Sequence, residues 1–208
     1  LHYVYYEITL QERIDMLILA YDTETTGKWD FKSSFHDPAQ PHLVQLGYRL
    51  FNVDNGKVYA TESTLVQPRL FQSIEAGAAA VHGITISEAL AFGQDPEVVM
   101  ERFNDLVLLA DRVIAHNGAF DSKVIDRTCN ALNIPTIFKD CAKQYCTMQN
   151  TTKLCGLTNK YGNPKWPKLV ELHQFLFGVG FEGAHDALVD VMAMEKCYIE
   201  LSRRGHVV

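Results

Sequence analysis

The chain has 208 residues, five of them cysteine, and a formal charge of −6. That length suits one α/β domain able to bury its own core without staples, and 47% hydrophobic with 21% charged residues excludes a disordered or fibrous chain. No apolar run approaches the roughly 18 to 20 residues that span a bilayer, and the acidic balance argues against a surface that attracts nucleic acid everywhere.

The cysteines Cys129, Cys141, Cys146, Cys155 and Cys197 show no framework spacing, which suits reduced thiols. The opening Leu1-His-Tyr-Val-Tyr-Tyr-Glu7 has neither a basic nor a clean apolar signal region. Together these read as a cytoplasmic protein with no membrane association. A zinc site from Cys141, Cys146, Cys155 and His173 would lack any C-x-x-C pair, which makes it a weak pattern.

Residues 1–15 read either as an extra edge strand or as an extension the domain does not need, and residues 16–208 as a single domain. Leu17 to Tyr21 is an apolar run with strand character that leads into Asp22-Thr-Glu-Thr-Thr-Gly27. Spacing two apart on a strand puts Asp22 and Glu24 on one face. Like charges held side by side call for a cation between them, although two solvated acids in a turn would look the same. A polar, aromatic loop from Lys28 to His42 follows, whose Trp29 and Phe31 would either form a lip over a bound base or pin the loop.

Leu43 to Asn52 and Lys57 to Gln67 read as strands joined at Asp54-Asn55-Gly56, where Asn-Gly signals a hairpin. The first three strands then form an antiparallel meander. Ser73 to Val81 is short and alanine-rich. Thr85 and Glu88 form a capping box for a second short helix that stops near Gly93. Asp95 caps a longer one with Pro96 at its first position and a helical stripe from Val99 to Ala110. Arg112 to His116 returns to a strand, parallel to the first. Asn117-Gly118 breaks it, and a helix runs to about Leu132. Ala142 to Lys168 holds five lysines and no acid. Leu169 to Phe177 and about Asp186 to Arg203 are the last helices.

Asp121 falls in the first turn of the helix after Asn117, where the helix dipole alone would favour an acid. Asp190 lies among apolar neighbours in the last helix, where it needs a partner unless it points outward. As a set, Asp22, Glu24, Asp121 and Asp190 carry four negative charges, enough to balance two Mg2+ or Mn2+ ions with the oxygen ligands those ions prefer. Two such ions would offset four of the six excess charges. A two-metal site suits in-line phosphodiester hydrolysis. His185 is five positions before Asp190, a rotation of about 140° on a regular helix. It therefore ends a loop, as a general base for water or as a surface histidine beside a helix start.

Asp22-Thr-Glu-Thr-Thr-Gly27, His116-Asn-x-x-Phe-Asp121 and His185-x-x-x-x-Asp190, in this order, resemble the three motifs of the DEDDh group of DnaQ-like 3′–5′ exonucleases. This group of the ribonuclease H-like superfamily includes the proofreading epsilon subunit of bacterial replicative polymerases. Val81-His82-Gly83-Ile84-Thr85 is similar to the signature between its first two motifs. The resemblance implies a ribonuclease H-like α/β fold, a mixed five-stranded sheet flanked by helices. It implies Asp22, Glu24, Asp121 and Asp190 as metal ligands and His185 as base. Thr23, Thr25, Thr26 and His82 would contact the 3′-terminal nucleotide, and Asn117 and Phe120 would shape the site. The implied substrate is a single-stranded 3′ end, DNA favoured, with RNA trimming as the alternative and a non-catalytic binding module as a third reading. Where the epsilon subunit has a substrate-contacting glutamate, this chain has Gly77, with Glu75 displaced nearby. No polymerase-binding tail is recognisable, so a free-standing enzyme is expected over a polymerase partner. On this reading the segment with Lys143, Lys153, Lys160, Lys165 and Lys168 acquires a use, since lysines track a backbone while the interleaved Tyr161 and Trp166 stack bases; a solvated loop is the other reading.

Overall fold

In the computed structural model, which describes residues 16–135 and 143–207, the order is β1 (Leu17–Thr25), β2 (Leu43–Asn52), β3 (Val58–Leu65), α1 (Ala76–His82), α2 (Ile86–Phe92), α3 (Pro96–Leu109), β4 (Arg112–Ala115), α4 (Gly118–Ala131), β5 (Gln144–Cys146), α5 (Thr147–Cys155), α6 (Leu169–Phe177) and α7 (Ala187–Arg203). The strands form one sheet in the order β3-β2-β1-β4-β5. The β1, β2 and β3 meander is antiparallel, and β4 and β5 add parallel strands beside β1. This is the mixed five-stranded sheet expected for a ribonuclease H-like fold. Residues 1–15 and Cys141 lie outside the described residues.

Local chemistry accounts for most boundaries. Asn52 Oδ1 accepts the backbone N–H groups of Asp54 and Asn55 at 2.8 and 3.1 Å, and Gly56 takes a φ of 72°, which closes the β2–β3 turn. The Thr85–Glu88 capping box starts α2, and Asp95 with Pro96 starts α3. No element is legible in the lysine-rich stretch from its residues alone, yet β5 and α5 fall there. The three-residue β5 is too short to show a period. In α5, Thr151 and Thr152 bond back to the carbonyls of Thr147 and Met148, a habit that makes threonine an indifferent helix former.

The two faces of β1 bury different layers. Leu17, Leu19 and Tyr21 pack with Val99, Met100 and Phe103 of α3 and Val124 and Ile125 of α4. Ile18 and Ala20 pack with Leu172 of α6 and Val191, Met194 and Tyr198 of α7. β2 fastens α7 to this second face at three alternate positions. Gln45 Oε1 accepts the Ala187 N–H at 3.3 Å, and Arg49 pairs with the buried Glu195 at 2.5 Å. Between them, a Cβ on Gly47 would stand 2.6 and 2.7 Å from the Ala187 carbonyl carbon and oxygen. Backbone meets backbone there, so the first turn of α7 has no room to give.

Gly47→Ala should cost about 1–3 kcal/mol through overpacking, lowering the thermal midpoint by about 2–4 °C per kcal/mol. An unchanged midpoint in calorimetry would show that α7 does not rest on β2 in this way.

Candidate active site

β4 pairs with β1 only as far as Ala20, whereas β2 accompanies it to Thr25. Asp22 and Glu24 thus lie beyond the parallel pairing, at the carboxyl ends of the parallel strands, where open α/β sheets place their ligands. By alternation they continue the face of Ile18 and Ala20, which α7 covers. Asp190 stands in the first turn of that helix.

Asp121 arrives from the opposite layer. Asn117 adopts a left-handed φ of 72° that turns the chain from β4 into α4, and Asp121 follows within one turn. Asp121 is 2% exposed. Its Oδ1 accepts both the backbone N–H and the hydroxyl of Thr23, at 3.2 and 2.7 Å. His185 precedes α7 in a turn with a φ of 74°. Its N–H donates to Asp190 Oδ2 at 2.9 Å, while Asp186 caps the helix by accepting from Leu188 and Val189. Glu24, His185 and Asp190 offer ligand atoms that all lie within 4.8 Å of one another.

These groups open into a cavity of about 640 Å³. Asp22, Thr23, Glu24, Asp121, His185 and Asp190 supply its polar lining, and Phe120, Met148 and residues 165–170 complete it.

The chain matches the exonuclease family RNase_T over residues 19–198. It belongs to that family. Its fold is also that of Escherichia coli exonuclease I. A complex of that protein with a 5cy-dT13 oligonucleotide superposes with a TM-score of 0.72 at 20% identity, covering 91% of this chain and 41% of that one. The zinc-ion-bound form of its complex with single-stranded DNA gives 0.69 at 19% identity, with the same shares covered. The chain thus spans about two fifths of those structures. No curated protein sequence matches it.

In this exonuclease domain the carboxylates share a pocket without a balancing cation: among the described residues none of the four takes part in an ion pair. Burial, reinforced by Asp190 and Asp121, pushes Glu24 up to about 8. Burial also raises Asp121, to about 7, against the opposing hydrogen bonds from Thr23. Asp22 is driven well above the usual carboxylate range by burial and by Asp121, Asp190 and Glu24. Asp190 is raised by burial, and the His185 N–H works against that. An oxygen-rich, electron-rich pocket of this kind fits hard divalent cations. Glu24 and Asp190 belong both to the expected ligand set and to the tight group. His185 stands in that group, whereas Asp22 and Asp121 stand outside it and are linked to it by charge.

The remaining expected residues divide. Thr23, Asn117 and Phe120 line the cavity; Thr25, Thr26 and His82 do not. The Thr25 hydroxyl donates to the Gly27 carbonyl at 2.7 Å, and Thr26 Oγ1 accepts the His42 N–H at 3.0 Å. His82 Nδ1 accepts the Ile84 N–H at 3.0 Å, which leaves the proton on Nε2 to be donated to the Thr25 carbonyl at 3.2 Å. Burial holds its pKa low, so this neutral ring props the end of β1. The displaced Glu75 reaches the first motif after all: a Cβ on Gly27 would stand 2.5 Å from its Oε1. Trp29 is 7% exposed, beside Phe35 at 5.8 Å, and so pins its loop. His173 donates from Nδ1 to the Val179 carbonyl at 2.7 Å, and among the described residues no cysteine joins a potential metal group. Sequence reasoning missed Met148, Leu169 and Val170 in the cavity, because nothing local marks an apolar residue as facing a site. It also missed Asp186, whose charge helps to raise Asp22 and Glu24; its position directly after His185 was the available signal. Among the described residues no helix is long and apolar enough to cross a membrane.

Between pH 6.5 and 8 the folded protein keeps protons on Glu24 and Asp121 that unfolded carboxyls, with pKa values of about 4, have lost. Stability without metal therefore falls as pH rises through this window. Below about 6.5 the fall becomes shallower but keeps its sign, because half-buried His116, held down to about 4, charges first in the unfolded chain and offsets only one of the two protons that Glu24 and Asp121 retain. Differential scanning fluorimetry in EDTA should show a lower midpoint at pH 8 than at 6.5. Added Mg2+ or Mn2+ should raise the midpoint more at pH 8 than at 6.5. A metal-free midpoint that is flat across the window would refute the uncompensated cluster.

Proposed function

We propose that this domain is a metal-dependent 3′–5′ exonuclease that hydrolyses single-stranded DNA from its 3′ end and releases 5′-monophosphates. The observation that carries this reading is the convergence of four carboxylates, none ion-paired by a described side chain, and one exposed histidine on an open cavity, in a chain of an exonuclease family. The deoxyoligonucleotide complexes of exonuclease I support the choice of DNA.

Two Mg2+ or Mn2+ ions held by Asp22, Glu24, Asp121 and Asp190 would supply positive charge to the scissile phosphate and its leaving oxygen. The chain's own part begins with His185. Its ring projects from an exposed turn beside Glu24 and Asp190, placed to take the proton of the attacking water. Asp190 fixes that turn through the His185 N–H. Thr23 keeps Asp121 aimed through two hydrogen bonds. Thr23 is assigned to the terminal nucleotide, while Thr25, Thr26 and His82, which stand off the cavity, are assigned to holding the end of β1 behind it. Asn117 and Phe120 bound the cavity beside that nucleotide.

Single strands labelled at either end, incubated with Mg2+, should lose the 3′ label as mononucleotide while the 5′-labelled product shortens stepwise. Intact 3′ ends with bound strand would make this a binding module, and faster degradation of matched RNA would reassign the substrate. His185→Ala should lower kcat by about 10²- to 10⁴-fold. Asp22→Ala should abolish turnover while leaving the thermal midpoint unchanged or raised, since it relieves repulsion; retained turnover would remove Asp22 from the metal site.

A further inference from the structure

We propose that Trp166 is a base-stacking platform: its indole takes the face of an unpaired nucleobase on the strand whose 3′ end lies at the carboxylates. This rests on the exonuclease reading and names how the same cavity would hold its substrate.

The cavity has two chemically different sides. Besides the acids, residues 165–170 bring Trp166, Pro167, Leu169 and Val170 into the lining, together with Met148. Phosphate and metal chemistry has no need of such a surface. A nucleobase does, because its faces are apolar and polarizable, and stacking on them tolerates any sequence. Trp166 is 62% exposed. Among the described residues no aromatic ring or cation stacks on it. An exposed indole continuous with an active-site cavity is a surface prepared for a planar ligand.

The backbone that carries it is held from both sides. The Lys165 N–H donates to the Leu157 carbonyl at 2.8 Å. The Pro167 carbonyl accepts Nε2–H of His116 at 3.0 Å, and the Lys168 N–H donates to Glu171 Oε2 at 2.7 Å. His116 is half-buried and neutral, its Nδ1 paired with the Thr147 hydroxyl at 2.9 Å. It is a positioning residue: it ties the end of β4 to the segment that presents Trp166. The platform is thus pre-organised, which spares the ordering cost of a loop that must settle on its ligand.

Charge plays the smaller part on this side. The Lys165 ammonium is paired with Glu171, and Lys168 also lies beside that carboxylate. Lys160 and Tyr161 do not line the cavity, and Lys160 sits over the Tyr161 ring at 4.9 Å. The lysine-rich segment therefore reaches the site with one indole and its apolar neighbours rather than with a strip of free cations. A duplex offers no free base face, so the platform favours an unpaired strand.

The chain has two tryptophans, Trp29 in the core and Trp166 in the open. Titrating the full chain with a thymidine oligonucleotide in EDTA should quench the Trp166 emission, in Trp29→Phe as in the parent chain. In Mg2+, Trp166→Ala should raise KM about 5- to 100-fold, the range of one lost stacking contact, with kcat within twofold and an unchanged midpoint. Trp166→Phe should restore most of the loss, and His116→Ala should raise KM while sparing kcat. Absence of quenching, or an unchanged KM in Trp166→Ala while the parent digests DNA, would overturn the platform and leave the exonuclease reading standing. If the parent digests nothing, that reading fails and the fluorescence titration alone decides for or against stacking.

Discussion

Carboxylates repel one another, and the sheet of this protein is arranged so that four of them cannot move apart. Asp22 and Glu24 are fixed by β1, whose pairing with β2 continues past the point where β4 has ended. Asp190 is fixed because the first turn of α7 rests on the bare backbone at Gly47. Asp121 is fixed from the opposite layer, and Thr23 reaches through with two hydrogen bonds to hold it. Each anchor is an ordinary piece of packing or capping. Together they store an electrostatic conflict that burial makes worse, since desolvation is the first cause of every one of the four raised pKa values. A fold that tolerates such a local cost does so where a ligand relieves it.

Two consequences follow for a reaction at this site. The conflict is relieved only by positive charge with oxygen-seeking chemistry, so the cluster selects a class of ion before any substrate is considered. And the relief is coupled to protons, because groups near pKa 7 and 8 must release them for a cation to enter. His185 stands apart from this cluster in one respect: it is exposed, on a turn, and tethered only through its backbone N–H to Asp190.

The sequence made the site more legible than the frame around it, for a physical reason. Asp22 and Glu24, the Thr85–Glu88 box, Asp95-Pro96 and Asn55-Gly56 are all signals within a few residues, and each marks what it was read to mark: a strand end, a helix start or a hairpin. β5 and α5 carry no such signal. β5 is three residues long and exists because β4 offers it an edge; α5 is threonine-rich and holds because Thr147 and Thr151 are buried with their hydroxyls satisfied. Both depend on partners far along the chain. The apolar side of the cavity was illegible for the same reason, since Met148, Leu169 and Val170 look like any core residues until the fold leaves them facing a void. The three threonines of the first motif illustrate the converse. They look alike in sequence, yet Thr23 faces Asp121, Thr25 the Gly27 carbonyl and Thr26 the His42 amide.

The spacing of His116 through Asp121 shows how one short segment serves both sides of the cavity. At its start, His116 leaves β4 with its ring turned toward Thr147 and Pro167, so that it holds the segment bearing Trp166. Asn117 then takes the left-handed conformation that reverses the chain, a geometry that asparagine tolerates better than other residues with a side chain. The Phe120 N–H closes the turn onto the Asn117 carbonyl at 2.8 Å. Phe120 packs toward the α3 and α4 core while lining the cavity, and Asp121 meets Thr23. Six consecutive residues thus connect an apolar side to an acidic one through a single turn. Burial holds the His116 pKa down to about 4, so the ring is neutral and its Nε2–H is the one donated to the Pro167 carbonyl, with Nδ1 beside the Thr147 hydroxyl. The distance between the stacking surface and the carboxylates is therefore set by the β4–α4 junction, which the buried Ala115, Gly118 and Asp121 anchor to the domain.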